Sequence, residues 1–218
     1  MSSEIESEND PHVRPALTRV EARALGVLIE KSATTPDLYP MTLNAIVVGA
    51  NQKTSRHPLL ELDPGEVGHA LRTLEDKGFV AVVHGARALR YEHRIDEALA
   101  LTRRQRAVLC VLMLRGAQTQ NELFVRCDRL ADFTGPEDLR ETLERLSSRM
   151  PPLAVRIPRH PGQREDRYAH LLCGEPEIGT AEPDPMAATG AARSALEQRI
   201  EALEARVAVL EQASLPVR

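Results

Sequence analysis

At 218 residues, 42% of them hydrophobic and 28% charged, the chain has room for two small soluble domains; a 3% aromatic content without Trp argues against ring platforms for single-stranded nucleic acid. The net charge of −4 divides unevenly: −3 over residues 1–17, +1 over 18–94, +2 over 95–172 and −4 over 173–218. The middle of the chain is therefore mildly basic between acidic ends, which permits DNA binding without announcing it.

Residues 1–16 are acidic and polar, which predicts a disordered start and no secretory signal. A first helix is expected from Thr18, whose pairing with Glu21 spells a capping box, and a second from Thr42. Asn51-Gln-Lys-Thr-Ser-Arg56 follows without an apolar residue. A loop of that polarity adds nothing to a core, so Lys53 and Arg56 are candidate phosphate or peptide contacts. A third helix follows Asp63-Pro64, with the stripe Val67, Ala70, Leu71 and Leu74 at helical spacing. The period then changes to that of a strand at Phe79-Val-Ala-Val-Val83, and a return strand carries Arg90-Tyr91-Glu92-His93.

The same order recurs. Thr102 with Gln105 opens the next helix, and Leu109, Val111 and Leu112 match Leu25, Val27 and Leu28. Thr119 with Glu122 opens another, and Gly135-Pro136 precedes the stripe Leu139, Leu143 and Leu146. Leu153-Ala-Val-Arg-Ile157 and Arg167-Tyr168-Ala169-His170 form the second pair of strands, so Arg-Tyr-x-His is shared by both copies. Three helices and a hairpin, twice, predict a mainly α fold with small β-hairpins (α+β): winged-helix domains over 17–95 and 96–173. Residues 174–191, rich in Pro, Gly and acid, read as a flexible linker. Over 192–213, Leu196, Ile200, Leu203, Val207 and Leu210 recur at heptad spacing, which predicts a short parallel coiled coil and a homodimer.

The chain resembles the bacterial YceH family from about Leu17 to Glu175. The resemblance rests on Thr-x-x-Glu-Ala-Arg at 18–23, Glu-Lys-x-x-Thr-Thr-Pro-x-x-Tyr-Pro at 30–40 and Asn-Gln-Lys-Thr-x-Arg-x-Pro at 51–58. Leu-Arg-Gly-Ala-Gln-Thr at 114–119 and Arg-Glu-x-Arg-Tyr-x-His-Leu at 164–171 complete it. It implies a tandem winged helix and lends no functional residues.

A winged helix meets DNA with its third helix in the major groove and its wing along the backbone. The outward positions of the first third helix are Glu66, His69, Arg72, Thr73, Asp76 and Lys77; those of the second are Glu137, Arg140, Glu141, Glu144, Arg145 and Ser148. Acids among them oppose phosphate, leaving Arg72 as the main candidate. The wings are better: Arg156, Arg159, Arg164 and Arg167 in the second, Arg87 and Arg90 in the first. The bland reading is a solvated turn in which Arg167 pairs with Glu165 or Asp166.

Catalysis is not expected. Cys110 sits in an apolar helix, Cys127 has no nearby His, and Cys173 and His170 would point to opposite faces of a strand. The histidines lack metal-ligand spacing, no Gly-rich phosphate loop occurs, and neither cofactor nor metal is expected. With no apolar run of about 20 residues and three scattered cysteines, a reducing cytoplasm is the expected home. The reading that results is a non-enzymatic recognition protein for duplex DNA, acting through its wings, with a partner-protein adaptor as the alternative.

Overall fold

The computed structural model describes residues 16–85, 88–159 and 163–176. The expected acidic start, the linker beyond residue 176, the coiled coil over 192–213 and Arg87 lie outside the described residues.

Helix α1 (Arg19–Thr34) begins at a capping box in which the Thr18 hydroxyl accepts from Glu21 N–H at 3.2 Å and Glu21 accepts from Thr18 N–H at 2.9 Å. A single 3-10 turn (Pro36–Leu38) leads to the two-residue strand β1 (Met41–Thr42) and then to α2 (Leu43–Ala50), capped by Thr42. Helix α3 (Pro64–Asp76) starts with Pro at its first position and a second capping box, Asp63 with Glu66. Strands β2 (Val80–His84) and β3 (Leu89–His93) close the first half, which α4 (Ile95–Leu99) joins to the second.

The second half repeats this order. Helix α5 (Arg103–Arg115) is boxed by Thr102 and Gln105, and β4 (Gln118–Thr119) leads into α6 (Gln120–Cys127), boxed by Thr119 and Glu122. Helix α7 (Pro136–Ser147) and the hairpin of β5 (Ala154–Ile157) and β6 (Arg167–His170) complete it. The fold is α+β, with two three-stranded antiparallel sheets ordered β1-β3-β2 and β4-β6-β5. Matching registers, Thr42 opposite Arg90 and Thr119 opposite Arg167, place the shared Arg-Tyr-x-His at the centre of each sheet.

The short strands β1 and β4 and the helix α4 carry no sequence pattern of their own. Two residues are too few to show a period, and β1 and β4 are strands only because β3 and β6 lie beside them. Helix α4 straddles the expected boundary at residues 95–96 and buries Ile95 completely.

Helices α1 and α5, equivalent in the repeat, pack on each other along the middle of one continuous core. Gly26 makes the approach possible: a Cβ there would stand 2.9 Å from the Leu114 side chain. The buried Cys110 thiol donates to Gly26 C=O at 3.4 Å. Two backbone bonds tie the halves further, His57 N–H to Leu114 C=O at 2.8 Å and Leu17 N–H to Leu172 C=O at 2.7 Å.

Candidate recognition surfaces

The polar loop after α2 is built around two buried guanidinium groups. Arg56 is only 5% exposed; its Nε donates to Gly49 C=O at 2.9 Å, and its terminal nitrogens meet the Glu30 carboxylate at 3.1 and 2.6 Å. Burial alone would raise the Glu30 pKa, but the hydrogen bonds and charge of Arg56, with Lys31, bring it below its ordinary value. Beside them Arg23, 2% exposed, donates to Ala50 C=O at 3.1 Å and Pro58 C=O at 2.7 Å. Burial and then the charge of Arg56 push its pKa down to about 10. Asn51 exchanges two bonds with the Leu62 backbone, at 2.8 and 2.9 Å.

The expectation that this loop adds nothing to a core is therefore corrected at Arg56. A loop without apolar side chains still has carbonyls to satisfy, and arginine's rigid fork does this while neutralising Glu30. Arg23 was missed. Its signal was an arginine inside Ala22–Ile29, a run that holds no other polar side chain. Lys53 alone in the loop is an exposed cation, without an ion pair among the described residues.

The β5–β6 hairpin divides its arginines into two kinds. Asp166 holds the base: one carboxylate oxygen accepts from Arg156 Nε at 2.7 Å and from its Nη2, while the other accepts from Arg159 N–H at 2.8 Å. Those contacts, the Arg159 amide first, hold the Asp166 carboxyl below its ordinary pKa. Arg167, largely buried, donates to Ala117 C=O at 3.0 Å and to Glu122 at 3.3 Å. Its partner is thus Glu122, and Asp166 pairs with Arg156. The guanidinium groups of Arg159 and Arg164 remain exposed and form no ion pair among the described residues, although that of Arg159 donates to Arg164 C=O at 3.3 Å. In the β2–β3 hairpin Val82 and Leu89 stand where Arg156 and Asp166 stand in β5–β6, and the exposed Arg90 donates to Pro40 C=O at 2.7 Å.

On the third helices the outward charge is largely committed. Along α7, Arg140 bridges Glu137 at 2.8 Å and Glu144 at 2.5 Å, and Arg145 meets Glu141 at 2.6 Å. On α3, Glu66 turns back to Asp63 N–H at 2.8 Å, and Lys77 spans Glu21 and Ala16 C=O, both at 2.8 Å. His69 and Arg72 stay exposed, and their counterparts in the second half are Glu141 and Glu144.

A family model described as "Protein of unknown function, DUF480" matches residues 17–163, the first half and the second as far as the β5–β6 turn. The chain belongs to the DUF480 family. A UPF0502 protein of Xanthomonas campestris is 53% identical over 204 residues, covering 91% of each chain. One from Mesorhizobium japonicum is 50% identical over 203 residues, covering 90% of this chain and 93% of its own. One from Pseudomonas fluorescens is 48% identical over 216 residues, covering 97% of both.

In this DUF480 chain the paired histidines face inward. His93 Nε2 lies 3.1 Å from the Ser32 hydroxyl, and its backbone N–H donates to the Tyr39 hydroxyl at 2.6 Å. Burial, followed by the charges of Arg106 and Arg94, lowers the His93 pKa to about 4; burial alone takes His170 to about 4. Cys110 and Cys127 are buried, and burial raises both thiols, Cys127 to about 12. Among the described residues no three His, Cys, Asp or Glu side chains are grouped to hold a metal, and no helix is long and apolar enough to cross a membrane.

Proposed function

We propose that the chain is a tandem winged-helix recognition protein, as its resemblance to the YceH family implies, and that its ligand is another protein. The observation that carries this reading is the charge on the third helices. The α7 face is a ladder of Glu–Arg pairs. The α3 surface exposes Glu66, Glu75 and Asp76 against Arg72. Carboxylates at the groove-facing element repel phosphate, whereas mixed charge of this kind suits the polar rim of a protein interface.

Duplex DNA stands as the second reading, favoured by Arg159 and Arg164 on the second wing with Lys53, Arg72 and Arg90. These five are exposed and make no ion pair among the described residues. A fluorescence-anisotropy titration against duplex DNA separates the two. The protein reading expects affinity no tighter than the non-specific range of ~10⁻⁴–10⁻⁶ M, fading steeply between roughly 50 and 200 mM salt. A dissociation constant near ~10⁻⁸ M on any duplex at physiological salt overturns it in favour of DNA.

A further inference from the structure

Strands β2 and β5 occupy the same place in the two sheets, each paired on one side only. Arg94 N–H donates to Phe79 C=O at 2.7 Å, and Leu171 N–H to Leu153 C=O at 2.9 Å. An antiparallel ladder alternates, so Ala81 and Val83 turn their backbone groups to β3, while Val80, Val82 and His84 turn theirs outward. In the second sheet the outward positions are Ala154, Arg156 and, just past the strand, Pro158.

The two edges are finished differently. On β5, Arg156 puts a charge at the edge and Pro158 brings no N–H, the devices by which sheets keep a further strand from adding. On β2 the equivalent residues are Val82 and His84, and Val80–His84 contains neither a charged residue nor a proline. Val80 is covered, at 4% exposed. Among the described residues nothing hydrogen-bonds the outward N–H or C=O of Val82 and His84. Leu89, 49% exposed, stands two residues along β3 from Tyr91, the partner of Val82, and so on the same face as Val82.

We infer that the outer edge of β2 takes an extended segment of a partner protein, added as a fourth strand of the first sheet. The inference rests on the reading that the ligand is a protein. The backbone groups name the occupant: two donors and two acceptors at the two-residue repeat of a strand are matched by another extended backbone. A phosphodiester offers no donor, and a helix keeps its own backbone groups for itself. Val82 and Leu89 call for apolar side chains at alternate positions of that segment. A second copy of this chain fits less well. Its free stretch is equally short, so edge-to-edge pairing rests on Val82–His84 from each copy, where stable interfaces use ~20–30 residues a side. A segment that is extended from the start runs on past that stretch, beside Leu89.

Panning a random peptide library on the full chain, then measuring the enriched peptides by fluorescence anisotropy, tests this. Peptides with alternating apolar residues are expected. Val82→Arg with His84→Pro and Leu89→Asp copies the β5–β6 edge, which this chain already folds around, and is expected to weaken binding at least ~10-fold at an unchanged melting temperature. N-methylation of every second peptide amide is expected to abolish binding in one register and spare it in the other, a pattern that follows from strand pairing. This last comparison uses the unsubstituted chain, so it decides even where the triple variant melts lower. The inference is overturned if no peptide is enriched, if both N-methyl registers bind alike, or if a folded triple variant binds as well as the unsubstituted chain. In that third case the peptides bind elsewhere and the protein reading stands, whereas tight duplex binding removes that reading. A chain that dimerises alone and is made monomeric by the triple substitution also overturns it, since the edge then takes a second copy.

Discussion

Arg56 and Glu30 sit at the point where α1, the end of α2 and the following loop converge, and neither has water enough to replace the other. Breaking such a pair from one side leaves a charge buried without its partner, which costs more than the pair contributes. Arg56→Ala is therefore expected to destabilise the fold by about 3 kcal/mol, read as a shift in the urea midpoint. Arg56→Lys should recover little of this, since a lysine cannot reach Gly49 C=O and both Glu30 oxygens at once. At the same scale, His93 and His170 are held neutral with pKa values of about 4. Unfolded histidines titrate near 6.5, so between these values the unfolded chain binds more protons. Stability is then full above about pH 6.5 and falls progressively toward about pH 4, in urea midpoints measured across that range. Replacing His170 with Gln should flatten part of the slope. The burial of Arg56 was not legible in the sequence. It depends on Glu30, 26 positions away, and on a carbonyl that only the folded turn presents.

Elements were legible where their signals are local and dark where they depend on distant partners. Every capping box that the sequence shows forms, because Thr18, Thr102 and Thr119 need only a residue three positions on. Pairing within the β5–β6 hairpin could not be read in that way: Arg156 and Asp166 meet across its two arms, and Arg167 on β6 reaches Glu122 on α6. This sorting changes what substitution of the hairpin arginines should do. Arg159→Ala with Arg164→Ala should leave the melting temperature unchanged and lower any residual duplex affinity, with the salt slope reduced by roughly 1.8 for two lost phosphate contacts. Arg167→Ala should instead lower the melting temperature, since it takes one of two side-chain donors from Ala117 C=O and a largely buried positive charge from beside Glu122. Gly26 is the equivalent test for the helix crossing. Gly26→Ala drives a methyl to 2.9 Å from Leu114, and overpacking of that kind costs about 1–3 kcal/mol.

For the whole molecule, the duplication announces two units, and the packing joins them. The repeat is visible in the sequence because each half keeps its own caps, stripes and Arg-Tyr-x-His strand. The α1–α5 contact is invisible there, since the apolar surface it uses on each helix looks like more of that half's own core. Val27, Leu28, Val108 and Leu112 are all fully buried, and the core runs from Leu17 through Leu172 without a break. Separating the halves would expose the apolar face of both helices to water and unmake the bonds from His57 to Leu114 and from Leu17 to Leu172. Neither half is then expected to be stable without the other. Calorimetry on the full chain is expected to show one transition for both repeats, with the calorimetric enthalpy equal to the van't Hoff enthalpy. Gly26→Ala should move that transition as a unit. Two resolved transitions, only one of them shifted by the substitution, would show that the halves unfold separately and that the α1–α5 contact joins domains stable on their own.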